Sequence, residues 1–76
     1  MRQQAPDTFA QRLQWLREQK RISRLVLGEL CGLNRNQIAR YERGEQSPNA
    51  ASLVALADFF GVTVDYLLCR PDERDV

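Results

Sequence analysis

The chain contains no histidine, and its two cysteines, Cys31 and Cys69, lie far apart with no C-x-x-C spacing. Without imidazole, neither a Cys/His zinc site nor a catalytic pair built on histidine can be assembled within one chain. No other nucleophile and base constellation stands out, so neither enzymatic activity nor a cofactor is expected. No apolar run approaches the ~20 residues of a membrane span, and no secretory apolar segment follows Met1, so a soluble cytoplasmic protein is expected. Seventy-six residues, 8% of them aromatic and 43% hydrophobic, make one small domain whose core supplies only ~3–5 kcal/mol. An interface could add to that.

Net charge is also scarce, at +1. Its distribution is uneven, however: residues 1–44 carry nine Lys/Arg and four Asp/Glu, whereas residues 45–76 carry two and six. One end is suited to a polyanion and the other is not. Cys31 reads as a small buried hydrophobe, while Cys69 near the tail reads as an exposed thiol.

The most informative stretch is SRLVLGELCGLNRNQIARYERG, from Ser23 to Gly44. Ser23 can cap a helix over 24–31, Gly32 and Leu33 a tight turn, and Asn34 can cap a second helix over 35–43. At 100° per residue the second helix places Ile38 and Tyr41 on one side. Asn36, Ala39, Arg40 and Arg43 fall on the other, with Arg35 at the edge, and this arc has no carboxylate. Guanidinium groups fork onto guanine, amides onto adenine, and a small residue permits close approach, which is what entry into a DNA major groove requires. An Arg-rich solvated face is the alternative that composition alone leaves open.

Around this unit, Met1 to Asp7 has no apolar pattern and reads as a flexible arm (1–7). Asp7 or Thr8 caps a first helix with Phe9, Leu13 and Leu16 on its inner stripe. Asn49 caps a fourth helix that buries Leu53, Leu56, Ala57 and Phe60 and stops at Gly61. Thr63 caps a short fifth helix carrying Val64, Leu67 and Leu68. The polar segment 69–76, CRPDERDV, reads as a tail, leaving 8–68 as the folded domain. The fold class is therefore all-α, a compact five-helix domain with a helix-turn-helix at helices 2 and 3.

The register I-S-x-x-x-L-[small]-x-x-[apolar]-G-[apolar]-x-R-x-x-I-x-R-Y-E-R-G, then Pro48 and L-x-x-L-A-x-x-F-G-V-x-x-D-Y-L-L, resembles the Cro and phage-repressor helix-turn-helix family, also called xenobiotic-response-element-like regulators. The resemblance covers Phe9 to Leu68 and implies a sequence-specific DNA-binding repressor acting as a homodimer on an inverted-repeat operator. With the carboxylate-free arc, it makes Asn36, Arg40 and either Arg35 or Gln37 the base readers. Ser23, Arg24, Asn34 and Arg43 are the phosphate contacts, and Gln46 and Ser47 in the following loop are weaker ones because Glu45 has the wrong charge. The family commonly has Gln at the position of Arg24, where it braces the first recognition residue; Arg can contact phosphate but cannot accept a hydrogen bond from Arg35. Gly28 stands where Ala is usual.

The same resemblance implies an ion pair between Arg17 and Glu42 that orients the recognition helix. It also makes the end of helices 4 and 5 a dimer contact, with Phe59, Val64, Tyr66 and Leu68 as candidates, although Phe59 and Tyr66 could equally cover the core. An alternative function is an antitoxin-like protein-interaction module that binds DNA secondarily. Its partner surface would be the apolar residues at outer positions, Trp15, Leu25, Val26 and Leu30.

Overall fold

The computed structural model describes residues 5–70. Five helices follow in order: α1 (Phe9–Gln19), α2 (Arg24–Cys31), α3 (Arg35–Glu42), α4 (Ala50–Phe60) and α5 (Val64–Leu67). Each begins on a hydroxyl or amide side chain that satisfies a backbone N–H of the first turn. Thr8 rather than Asp7 caps α1, Ser23 caps α2, Asn34 caps α3, Asn49 caps α4 and Thr63 caps α5. Gly32 and Gly61 close α2 and α4 in the left-handed region, at φ 72° and 69°. That region is open to glycine because it has no Cβ to clash with the backbone.

Leu13, Leu27, Ile38, Tyr41, Leu56, Ala57 and Leu67 form the buried core, so every helix contributes at least one residue. α3 packs against both α2 and α1, while α4 packs against α2 and α5. Several positions of the expected stripes are shallower than the periodicity implies, among them Phe9 and Leu16 on α1, which are half-buried beside Leu13. Leu53, Phe60 and Val64 pack against the core but stay half-buried, and Leu68 is half-buried too. Cys31, expected as a buried hydrophobe, is also half-buried, with its Sγ 3.9 Å from the Ala55 carbonyl. It lies in the last turn of α2. The partial burial still raises the thiol pKa by desolvation.

Cys69 is likewise half-buried rather than an exposed thiol, because its Sγ lies 3.9 Å from the Pro6 carbonyl. Of the segment read as an arm, Ala5 and Pro6 are half-buried, and the Pro6 carbonyl accepts a 2.9 Å hydrogen bond from Arg12 Nε. Met1 to Gln4 and residues 71–76 lie outside the described residues. Arg12 reaches further: its Nη1 donates to the Tyr66 carbonyl at 2.6 Å and its guanidinium lies 4.4 Å from the Tyr66 ring centroid. The start of the domain is thereby fastened to the end of α5.

Candidate nucleic-acid interface

The turn between α2 and α3 is tight. Leu33 N–H donates to the Gly28 carbonyl at 2.7 Å, and a Cβ placed on Gly28 would lie 3.0–3.2 Å from the backbone of Leu33 and Asn34. The missing methyl lets the turn lie directly on α2. Asn34 then starts α3 through a capping box: its Oδ1 accepts from the Gln37 N–H at 2.8 Å and Gln37 Oε1 accepts from the Asn34 N–H at 3.0 Å.

Seen down its axis, α3 divides sharply. Ile38, Tyr41 and Glu42 are buried, whereas Arg35, Asn36, Arg40 and Arg43 are exposed with half-buried Ala39 among them. Tyr41 is held edge-to-face by Phe9, at 6.4 Å between centroids. Glu42 is the anchor at the far end. Its carboxylate has no solvent exposure and accepts from Arg17 Nε at 2.6 Å, Arg17 Nη2 at 3.1 Å and Arg24 Nε at 2.8 Å. Arg17 also donates from Nη1 to the Ile22 carbonyl at 2.9 Å. The structure thus brings Arg17 and Glu42 together and adds Arg24, which the sequence alone places on phosphate. Nothing in the local sequence marks that third member, because it joins residues from three different elements.

The remaining candidates divide by what already engages them. Gln37 is half-buried and committed to the capping box, a role its N-x-x-Q spacing from Asn34 could have signalled. Arg43 is the C-cap of α3 rather than its last residue, and it forms a bidentate pair with Glu45 at 2.9 and 3.2 Å. Hydrogen bonding, reinforced by charge, raises the Arg43 pKa and lowers that of Glu45. The pair is open to solvent, where such contacts are weak and easily exchanged. Ser23 accepts from the Val26 N–H and keeps its hydroxyl proton available, and Asn34 keeps its NH2 group. Arg35, Asn36, Arg40, Gln46 and Ser47 are exposed, with no side-chain hydrogen bond among the described residues.

Of the dimer candidates, Phe59 and Val64 pack against the core. Phe59 meets Phe60 edge-to-face at 5.0 Å and lies 5.6 Å from the Lys20 ammonium. Only Tyr66 among the four is exposed, and Arg12 covers its ring. Trp15, expected on an outer surface with Leu25, Val26 and Leu30, is instead half-buried with its indole Nε1 covered and unpaired. An indole is large enough to lie sideways over neighbours from an outer helical position. The other three are exposed, Leu30 at 60%. Among the described residues no helix is long and apolar enough to cross a membrane.

This arrangement of a short capped helix, a left-handed glycine turn and a second helix with one anchored and one cationic side agrees with a family assignment. A helix-turn-helix family model matches residues 13–67. The chain belongs to the helix-turn-helix family. Similar curated proteins include the transcriptional activator BcrR of Enterococcus faecalis, 38% identical over 60 residues, 79% of this chain and 29% of the relative. The repressor protein C2 of Salmonella phage P22 is 33% identical over 60 residues, 79% of this chain and 28% of the relative. A crystal structure of the P22 c2 repressor with a synthetic operator superposes with a TM-score of 0.79 at 30% identity, over 83% of this chain and 96% of that one. The chain spans 29–60% of the length of the curated relatives BcrR, YobD and AnsR.

Proposed function

We propose that the chain is a sequence-specific DNA-binding module of a transcriptional regulator, a repressor that occupies an inverted-repeat operator as a homodimer. The observation that carries this reading is the arc of α3 bearing exposed Asn36, Arg40 and Arg43 with half-buried Ala39 among them, to which the helix itself contributes no carboxylate, while Ile38, Tyr41 and Glu42 fix the opposite side. A helix held from behind in this way can enter the major groove. Asn36 and Arg40 then read base edges through their amide and guanidinium groups. Gln37 is assigned to the cap, where its side chain is already used. Ser23, Asn34, Arg43, Gln46 and Ser47 border the helix and contact phosphates, with Arg43 exchanging Glu45 for the more highly charged backbone.

One α3 supplies too few base readers to select a site from the ~10⁶–10⁹ alternatives of a genome, and a two-fold dimer doubles them. Its two recognition helices would sit in major grooves ~34 Å apart. The end of α4 and α5 forms the dimer contact through exposed Tyr66 and half-buried Leu68, and the protein works where DNA is, in the cytoplasm. Selection of duplexes from a random pool, followed by a stoichiometry measurement, tests the reading. Inverted repeats bound by two chains are expected. Arg40→Ala should weaken the selected site by ~1–3 kcal/mol and relax preference at one base position. Failure to enrich any sequence, or unchanged specific affinity in Arg40→Ala, overturns it.

A further inference from the structure

Beside α2 and the first turn of α3 lies a shallow depression lined by Arg17, Ser23, Arg24, Leu25 and Arg35. We infer that Arg24 and Arg35 grip one DNA backbone phosphate between them across this depression, so that Arg35 is a phosphate clamp and not a base reader. The inference rests on the DNA-binding reading above and adds a division of labour within α3.

Three observations carry it. Arg35 lies at the border of the cationic arc, since at 100° per residue it is only about 20° around the axis from Glu42, seven residues on. It is therefore on the α2-facing border of α3, whereas Ala39, Arg43 and Asn36 occupy the middle of the arc. Next, Arg24 is not a free surface arginine. Its Nε is fixed on Glu42 Oε1 at 2.8 Å, and with 39% of its side chain exposed the Nη1 and Nη2 groups have no acceptor among the described residues. One edge of the guanidinium is anchored and the other is left to donate, a preorganised fork.

Finally, the charges are unbalanced. Of the three arginines of the depression, Arg17 and Arg24 share the single carboxylate of Glu42, which Arg17 already engages with two hydrogen bonds, and Arg35 has no carboxylate partner among the described residues. Two positive charges remain uncompensated, and Arg24 and Arg35 can only donate, so they cannot brace one another. An anion placed between them removes the repulsion and accepts from both. A phosphodiester has the required charge and two unesterified oxygens, and the Ser23 hydroxyl at the rim can donate to the same group. Arg35 on this border lies about 100° and 140° around the axis from Asn36 and Arg40, the base readers proposed above.

The test uses the full chain and a duplex selected by the wild-type protein from a random pool, with each base pair then varied singly. Affinities of the wild type, Arg35→Ala, Arg24→Gln and the double variant are measured between about 50 and 200 mM salt. Arg35→Ala is expected to weaken every duplex by the same factor, leaving the base preferences unchanged. If one phosphate is shared, the double variant lowers the salt slope by about 0.9 and its loss in affinity differs from the product of the single losses, whereas two independent contacts would lower it by about 1.8. Replacing individual backbone phosphates by neutral methylphosphonates should reveal one position at which both single variants lose their effect. Relaxed preference at a single base pair in Arg35→Ala, or the larger slope change, overturns the inference while leaving the DNA-binding reading intact. Absence of any selected duplex overturns both. Arg35 is exposed and makes no hydrogen bond among the described residues, so thermal melting of Arg35→Ala should match wild type and exclude misfolding.

Discussion

Replacing Glu42 by Gln removes one charge and keeps the size of the side chain, so it isolates the buried ion network. The carboxylate accepts three guanidinium hydrogen bonds, two at Oε1 and one at Oε2. An amide can accept only at its oxygen, and its NH2 group then faces a donor that cannot receive it. Arg17, with 11% of its side chain exposed, is left charged without a counterion. Breaking a buried pair by removing one partner costs about 3–5 kcal/mol. The Ile22 carbonyl still accepts from Arg17, and the Arg24 contact is partly screened by solvent, so the lower end, about 3 kcal/mol, applies. For a domain of this size that lowers Tm by roughly 12–24 °C. The comparison is Glu45→Gln, which removes the same charge from an exposed pair with Arg43 and should leave Tm unchanged. Calorimetric or circular-dichroism melting at neutral pH reads both. Equal melting temperatures would refute the view that the network carries a substantial part of the stability.

Two further substitutions probe the backbone that positions α3. Gly28→Val adds a Cβ at 3.0–3.2 Å from the turn backbone and two methyl groups beyond it, and overpacking of this kind costs about 1–3 kcal/mol or more; a Tm equal to wild type would show that the close approach is not required. Arg21, which follows α1, adopts φ 57°, a left-handed conformation that costs a non-glycine residue about 1–2 kcal/mol. Arg21→Gly is therefore expected to stabilise the fold by about 1 kcal/mol after the entropy of glycine is subtracted, read as a rise in denaturation midpoint, and a fall would contradict it.

The helices and their caps are legible in the sequence because the forces that make them are local. Ser23, Asn34, Asn49 and Thr63 each precede an apolar-periodic segment, and their side chains cap the helices that follow. The one-residue difference at the end of α3, Glu42 rather than Arg43, is ordinary for a helix terminus. Polar partnerships are less legible, since a long side chain chooses its partner in space. Arg12 meets Tyr66 across 54 positions of sequence, and Arg24 meets Glu42 across 18. Neither is signalled by spacing. Gln37 shows the opposite difficulty: its position was consistent with both a capping box and a base contact, and only the side-chain geometry distinguishes them.

Under the proposed function, the ion network also accounts for how so short a helix serves as a reading head. α3 has eight residues, below the length at which an isolated helix persists in water, so its axis must be set from outside. At its start the turn rests on Gly28, and at its end Glu42 is tied to α1 through Arg17 and to α2 through Arg24. Two fixed ends define both the tilt and the rotation of the helix. Asn36 and Arg40 are then displayed from a frame that loses little freedom on docking, so only side-chain rotamers remain to be ordered. The same rigidity bears on selectivity: a frame that cannot tilt to rescue a mismatched base leaves the unpaired polar group uncompensated, and the mismatch retains its full penalty.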